Sequence, residues 1–451
     1  MTVFSKNATK WLEKILEERF GHHFLVTASY DYLTLRLDNK DGAIYFDSLS
    51  PEFHESHSDH PCGYWPPTEE GFSPVLAKML PTPAIETPAT PLVENDRAGN
   101  IVVHYDILGL TYWMLTRLEE IGCSELDEHA RFPATSSHAY KNNYLERPIV
   151  DEWLHILGQV IQLQWPRIKL KEHQFEMKVS HDVDAPARYA FQSPKGIVRA
   201  IGGDIIRRRD FRSTILGPWI WLNSRSRIHP KDPVNTFDWL MRQSEDNGLT
   251  SAFYFICGRT NPKRDAQYEP ESPQIRQLMH EIHQRGHEIG LHPSYNTYRA
   301  PHLIQQEADR LRQVCKQEGI EQTQWGGRMH FLRWDQATTL KAWDDAGMDY
   351  DSTLGYADHP GFRCGTCFEY PAFDATGDRA LNLRVRPLIA MDCTVMADRY
   401  MGLGSTDDAF HAFNQLKNTC RAVKGTFTLL WHNSYFQASK DFDIYRCLLN
   451  S

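Results

Sequence analysis

From Phe175 onward the chain alternates short apolar runs with amphipathic segments, a pattern that restricts it to folds assembled from parallel βα units. Phe175, Met177 and Val179 alternate with Glu176, Lys178 and Ser180 at the period of a strand. Thr250–Cys257, His287–His292 and Gly425–His432 read as further strands. Between them, Ile275, Leu278, Met279 and Ile282 mark one helix face, stopped by Gly286. Ile304, Ala308, Leu311 and Cys315 mark another, stopped by Gly319. In parallel α/β folds, polar side chains at strand C-termini are where sites are built, and Asp182, Asp184, His292 and His432 all hold such positions. Strand parity sends Asp182 and Asp184 to one face. Two carboxylates that close repel unless a cation or a shared proton neutralises one of them. The plainer reading is a carboxylate that caps the following helix.

The chain before this region is less regular. Trp11, Leu12, Ile15 and Leu16 predict a helix over Lys10–Phe20, and Tyr32–Leu37 and Gly42–Phe46 predict strands. Pro66–Pro91 reads as a long loop, and Ile107–Ile121 and Pro148–Leu163 as helices. The expected boundary lies near residues 165–174, separating a smaller α+β domain (1–170) from an α/β domain (171–451). With 451 residues and 41% hydrophobic content, two cores of this size are affordable. A formal net charge of −9 gives no support to nucleic-acid binding. Nine cysteines, mostly isolated, together with an N-terminus that lacks a signal-peptide core, lead to an expectation of free thiols and a cytoplasmic location. Cys364 and Cys367 read as a turn bearing two thiols. Residues 195–231 stand apart: nine Lys or Arg against two Asp, interleaved with Ile, Leu, Phe and Trp. Such a mixture is either a solvated helical insertion or a segment making peripheral contact with an anionic membrane or lipid-linked carrier.

Metal-assisted hydrolysis needs two or three N/O ligands, an open position, a base and an acid. Asp184 and His292 are candidate ligands, Asp182 the base and His432 the acid. In order along the chain, Ser180-His-Asp-Val-Asp184, Ser251-Ala-Phe-Tyr-Phe-Ile256, Gly286-His-Glu-Ile-Gly-Leu-His292, Gly326-Gly-Arg328 and Leu429-Leu-Trp-His432 resemble the motifs of the polysaccharide deacetylase family. The likeness covers about residues 175–435. It implies a distorted (β/α) barrel, a divalent metal (zinc in the first instance) and removal of an N-acyl group, N-acetyl above all, from a carbohydrate, with nucleotide- or lipid-linked sugars among the candidates. Segments 326–334 and 350–356 are similar to a subgroup encoded among bacterial surface-polysaccharide genes, in which a domain of unknown role precedes the barrel. The resemblance gives Arg328 the task of orienting the base. It also expects a second metal histidine at position 296, where this chain has Asn296. Either Asn296 binds through its amide oxygen, a weaker ligand than imidazole, or His330, His181 or His287 completes the site, or the metal is lost. Met329-His330-Phe331 replaces the usual proline–aromatic pair after Arg328, so His330 and Arg333 become candidate substrate contacts. His287 faces away from His292 on strand parity and reads as a structural hydrogen-bonder. Two other functions remain open on the residues alone: a non-catalytic glycan- or carrier-binding protein on a degenerate barrel, and an amidase acting on a small non-sugar amide.

Overall fold

The first helix runs Lys6–Phe20, one turn longer at its start than the apolar spacing indicates, because the Ser5 hydroxyl accepts the Ala8 N–H at 2.9 Å and caps it. Gly21 ends it in the left-handed region at φ 75°. The computed structural model describes residues 4–29, 31–208, 211–436 and 438–450, and the chain divides into two units.

The first unit gathers Met1–Glu176, Leu354–Ile389 and Gln415–Phe427. Its five-stranded sheet takes the order Phe24–Ala28, Leu33–Leu37, Ile44–Phe46, Ile101–Val103, Val93–Asn95. The helix predicted over 107–121 stops at Thr116, since Arg117 adopts φ 55°. The Arg117 guanidinium is buried and pairs with Glu119 and, at 2.8 Å, Glu120, which also accepts from Arg363 at 2.9 and 2.5 Å. A buried cation needs such partners, and making them takes priority over another helical turn. Within the predicted 66–91 loop, Leu80–Pro83 forms a strand against Cys62–Trp65.

The second unit gathers Met177–Thr353, Ala390–Asn414 and Thr428–Ser451. Its strands are β1 (Glu176–Val183), β2 (Ser251–Phe255), β3 (Glu288–Leu291), β4 (Gly326–Gly327), β5 (Tyr350–Asp351), β6 (Ala390–Met391) and β7 (Thr426–Leu430). They lie in the order β5-β4-β3-β2-β1-β7-β6. The pairs β1–β2, β2–β3, β3–β4, β4–β5 and β6–β7 are all parallel. Val179–Val183 and the whole of β2 are buried without alternation, as befits strands covered on both faces. Helices α1 (Pro194–Arg208), α2 (Ser213–Leu222), α3 (Phe237–Asp246), α4 (Pro273–Gln284), α5 (Pro301–Gln317) and α6 (Thr339–Asp345) fill the connections. α4 and α5 bury the faces the sequence marks: Ile275, Leu278, Met279 and Ile282 on one, Ile304, Ala308, Leu311 and Cys315 on the other. The expected barrel closure is not seen: among the described residues β5 and β6 do not pair with each other. With β4, β5 and β6 only two residues long, each offers few ladder bonds with which to close a ring.

β4 is a pair of glycines for a steric reason. A Cβ on Gly327 would lie 1.8 Å from the Leu291 carbonyl oxygen, and one on Gly326 would lie 2.1 Å from the Tyr350 ring. Gly327→Ala is therefore expected to push β4 off β3 at a cost of roughly 1–3 kcal/mol or more. A thermal melt of the variant matching wild type would show that the close approach is dispensable.

Candidate metal centre and active site

Parallel pairing brings the C-terminal ends of β1, β3, β4 and β7 together, and with them the side chains that follow each strand. Asp182 is the last but one residue of β1 and Asp184 lies just beyond its end. His292 follows β3, with its N–H donating to Phe255 O at 2.8 Å. Arg328 and His330 follow β4, and His432 comes two residues after β7.

Three imidazoles converge on Asp184. His292 Nε2 lies 3.2 Å and His330 Nε2 3.6 Å from Asp184 Oδ1, and His432 Nε2 is 3.7 Å from Oδ2. In each ring the other nitrogen faces an oxygen acceptor: the Arg328 carbonyl at 2.6 Å from His292 Nδ1, Asp265 Oδ1 at 3.1 Å from His330 Nδ1, and Asp392 Oδ1 at 2.8 Å from His432 Nδ1. For His292 and His330 an acceptor at Nδ1 keeps the proton there and turns the Nε2 lone pair inward, the usual arrangement of metal-binding imidazoles. His330 is aimed by an unusual turn: Phe331 and Leu332 hold φ 62° and 55°, a conformation that bulky side chains rarely adopt.

Donor atoms of Asp184, His292 and His330 all lie within 4.8 Å of one another. Asp184 Oδ1 is buried yet makes no hydrogen bond, although two imidazole nitrogens are near it. A buried carboxylate oxygen with nitrogens around it but no aligned N–H fits a shared cation. Two imidazoles and one carboxylate suit a divalent ion of the zinc type with a position left open. A second set, Asp392, Cys393 and His432, is also within 4.8 Å. The Asp392–His432 hydrogen bond accounts for it, and burial holds the Cys393 thiol well above its usual pKa.

Asp182 lies beside this group, its Oδ2 at 3.7 Å from His292 Nε2. Its Oδ1 accepts from Arg328 Nη1 at 2.8 Å. Arg328 is fully buried and held at its remaining donors by Ser352 O at 2.9 Å, Ser180 Oγ at 2.9 Å and Ser352 Oγ at 3.1 Å. So fixed, the guanidinium sets the direction in which Asp182 points.

Other candidate residues are placed as follows. Asn296 is exposed, and its carboxamide is engaged elsewhere: Nδ2 donates to Thr260 O at 3.1 Å and Oδ1 accepts from Arg333 at 3.2 Å. His330 stands among the ligand-type side chains instead. Arg333 donates to Tyr295 O at 2.6 Å and stacks on Tyr295 and Tyr298 at 4.1 and 3.9 Å, so it braces the loop after His292. His181 bonds Trp431 O at 2.6 Å, and His287 accepts the Ser251 N–H at 3.1 Å. Asp265 and Asp392 escaped sequence reading. Asp265 sits in a loop without periodic signal, whereas Leu388-Ile-Ala-Met-Asp392 is an apolar run ending in a carboxylate, the same signature as the other strand ends.

The electrostatics follow from this packing. Burial works against charge on His432, but the Asp392 carboxylate, aided by Asp184 and Asp182, raises its pKa to about 10. His292 is likewise lowered by burial and raised overall by Asp182 and Asp184. Burial opposes ionisation of Asp184, yet His330, His292 and His432 hold it well below the usual carboxylate range.

Residues 8–166 match a family model described as a family of unknown function (DUF7033). A comparison with curated proteins finds no match. Solved structures with a likeness include a Mycobacterium smegmatis protein assigned as a polysaccharide deacetylase, with a TM-score of 0.38 and 16% identity over 62% of this chain and 84% of that one. PuuE allantoinase gives a TM-score of 0.35 and 11% identity over the same shares. Both scores are low, a distance at which likeness says nothing of activity.

Two measurements follow from the geometry. Elemental analysis is expected to find about one divalent ion per chain, lost in Asp184→Ala, His292→Ala and His330→Ala and retained in Asn296→Ala; loss in the last variant would restore Asn296 as a ligand. In metal-free protein His432 gains its proton's partners only on folding, so its contribution to stability is full below pH 6.5 and vanishes as pH rises through about 10. Asp392→Asn is expected to flatten that decline in denaturant titrations and to move the His432 imidazole resonance titration downward.

Proposed function

We propose that the second unit is a divalent-metal-dependent hydrolase that removes an N-acyl group, N-acetyl in the first instance, from a sugar of a bacterial surface polysaccharide. The observation that carries the reading is the Asp184–His292–His330 group with a separately anchored carboxylate, Asp182, beside it. The sugar as substrate rests on the ordered strand-end motifs.

Asp184, His292 and His330 would hold a divalent cation, which would supply acidified water and polarisation of an amide carbonyl. Asp182 accepts the proton of the attacking water. Arg328, bonded to that carboxylate at 2.8 Å, keeps it turned toward the group, and so is a positioning residue. As the C–N bond breaks, His432 Nε2–H gives its proton to the departing nitrogen. The Asp392 carboxylate, bonded to Nδ1, favours the protonated ring and fixes its direction. The proton taken by Asp182 and the one given by His432 balance, leaving a free carboxylic acid and an amine. Positions on unlike groups separate the two roles: a carboxylate tied to a guanidinium serves as base, an imidazole tied to a carboxylate as acid.

Asp182→Asn is expected to lower turnover by roughly 10²–10⁴-fold with the metal retained. The assay pairs metal analysis with amine release from a panel of N-acetyl sugars, nucleotide-linked N-acetyl sugars and small cyclic amides. Full activity in Asp182→Asn would overturn the role of the base. Turnover of cyclic amides alone would move the substrate away from sugars, and metal binding without turnover of any panel member would favour a binding protein.

A further inference from the structure

The chain leaves the site at Ala185 and returns at Val234, and between these points stands the α1–α2 hairpin. Its inner faces are occupied: Tyr189, Ile197 and Ile220 form a cluster with Ala200, Ile201 and Trp221 against it. Its outer faces are apolar and bare. Of fourteen exposed large hydrophobic side chains among the described residues, seven fall between Val198 and Leu222. Soluble surfaces scatter such residues singly; a run of them on one element marks an interaction surface. On α2, Ile215 (79% exposed), Trp219 and Leu222 recur at helical spacing, and on α1 Val198 (71%) and Ile206 (80%) lie two turns apart on one face.

Charge says what kind of surface meets this face. Asp204 is buried and turned inward, where it accepts from Arg188 at 2.6 Å and from the Tyr189 hydroxyl at 2.8 Å. Asp232 is also buried, accepting the N–H groups of Arg188 and Tyr189 at 2.8 and 3.0 Å. The exposed charges described from Lys195 to Lys231 are thus all positive: Lys195, Arg199, Arg212, Arg225, Arg227 and Lys231. Lys231 lies 5.8 Å over the Trp219 ring, beside the apolar stripe. Cations flanking exposed Trp, Ile and Leu, in a chain of net charge −9, match a surface that is anionic and apolar just beneath. No helix among the described residues is long and apolar enough to cross a membrane, so the contact would be with the surface.

We propose that the α1–α2 hairpin docks the protein on an anionic lipid bilayer, with Ile215, Trp219 and Leu222 entering the headgroup boundary and the arginines meeting lipid phosphates. This inference is independent of the chemistry proposed for the metal centre.

The test is co-sedimentation of the full chain with vesicles of phosphatidylcholine alone and of phosphatidylcholine mixed with phosphatidylglycerol. Binding is expected to the mixed vesicles only and to weaken as salt rises. Arg225→Gln with Arg227→Gln should reduce partitioning roughly 30-fold. Ile215→Ser with Trp219→Ser should abolish it. All four side chains are at least partly exposed, and unchanged thermal melts would confirm folding of both variants. Equal binding to both vesicle types, no binding to either, or partitioning untouched by both variants would overturn the proposal. So would a dimer in solution that Trp219→Ser dissolves, since the face would then belong to a second copy of this chain.

Discussion

A carboxylate surrounded by imidazoles is the constraint on which the second unit turns. Asp184 stands at the end of a strand buried on both faces, and three rings reach it from the ends of β3, β4 and β7. None of these contacts is a well-aligned hydrogen bond to Oδ1. Their cohesion is electrostatic, and a cation would supply what the protein's own protons do not. The surroundings are rigid to match: acceptors fix each Nδ1, serines and a backbone carbonyl fix Arg328, and Arg328 fixes Asp182. In the hydrolysis proposed above, the mobile partners would be the substrate and its water, with the protein groups already in position.

Strand ends were the most legible part of this site. Alternating βα texture identified where β1, β2, β3 and β7 would end, and Asp182, Asp184, His292 and His432 could be named from that alone. Arg328 and Asn296 came from motif likeness, and they fared differently. Arg328 reaches Asp182, whereas Asn296 faces solvent and spends its carboxamide on Thr260 and Arg333. His330 reads in sequence as a substrate contact or a spare ligand. What sends it inward is a two-residue left-handed turn at Phe331 and Leu332, which has no glycine to announce it. Asp265 was hidden for a similar reason, since a loop carboxylate has no period. The unclosed sheet is equally opaque, because strands of two residues leave no pattern to count.

In the first unit the limits lie in charge. Apolar spacing gives the Lys6–Phe20 and Ile149–Gln164 helices nearly to their ends. It does not reveal that Arg117 would be buried against Glu119 and Glu120 and would end its helix early. The partner that completes this group, Arg363, lies 243 positions away from Glu120. Long-range ionic pairing overrides local propensity where an uncompensated buried charge would cost more than a lost turn.

Asn433, the neighbour of His432, donates its two amide hydrogens to Ala185 O at 3.0 Å and to Val234 O at 2.9 Å, and its own carbonyl accepts the Thr236 hydroxyl at 2.8 Å. One carboxamide therefore seals the stem through which the whole α1–α2 hairpin leaves and re-enters the fold. The same residue adjoins the imidazole that Asp392 holds, so a change at Asn433 would be felt in two places at once, at the root of the hairpin and at the ring beside it.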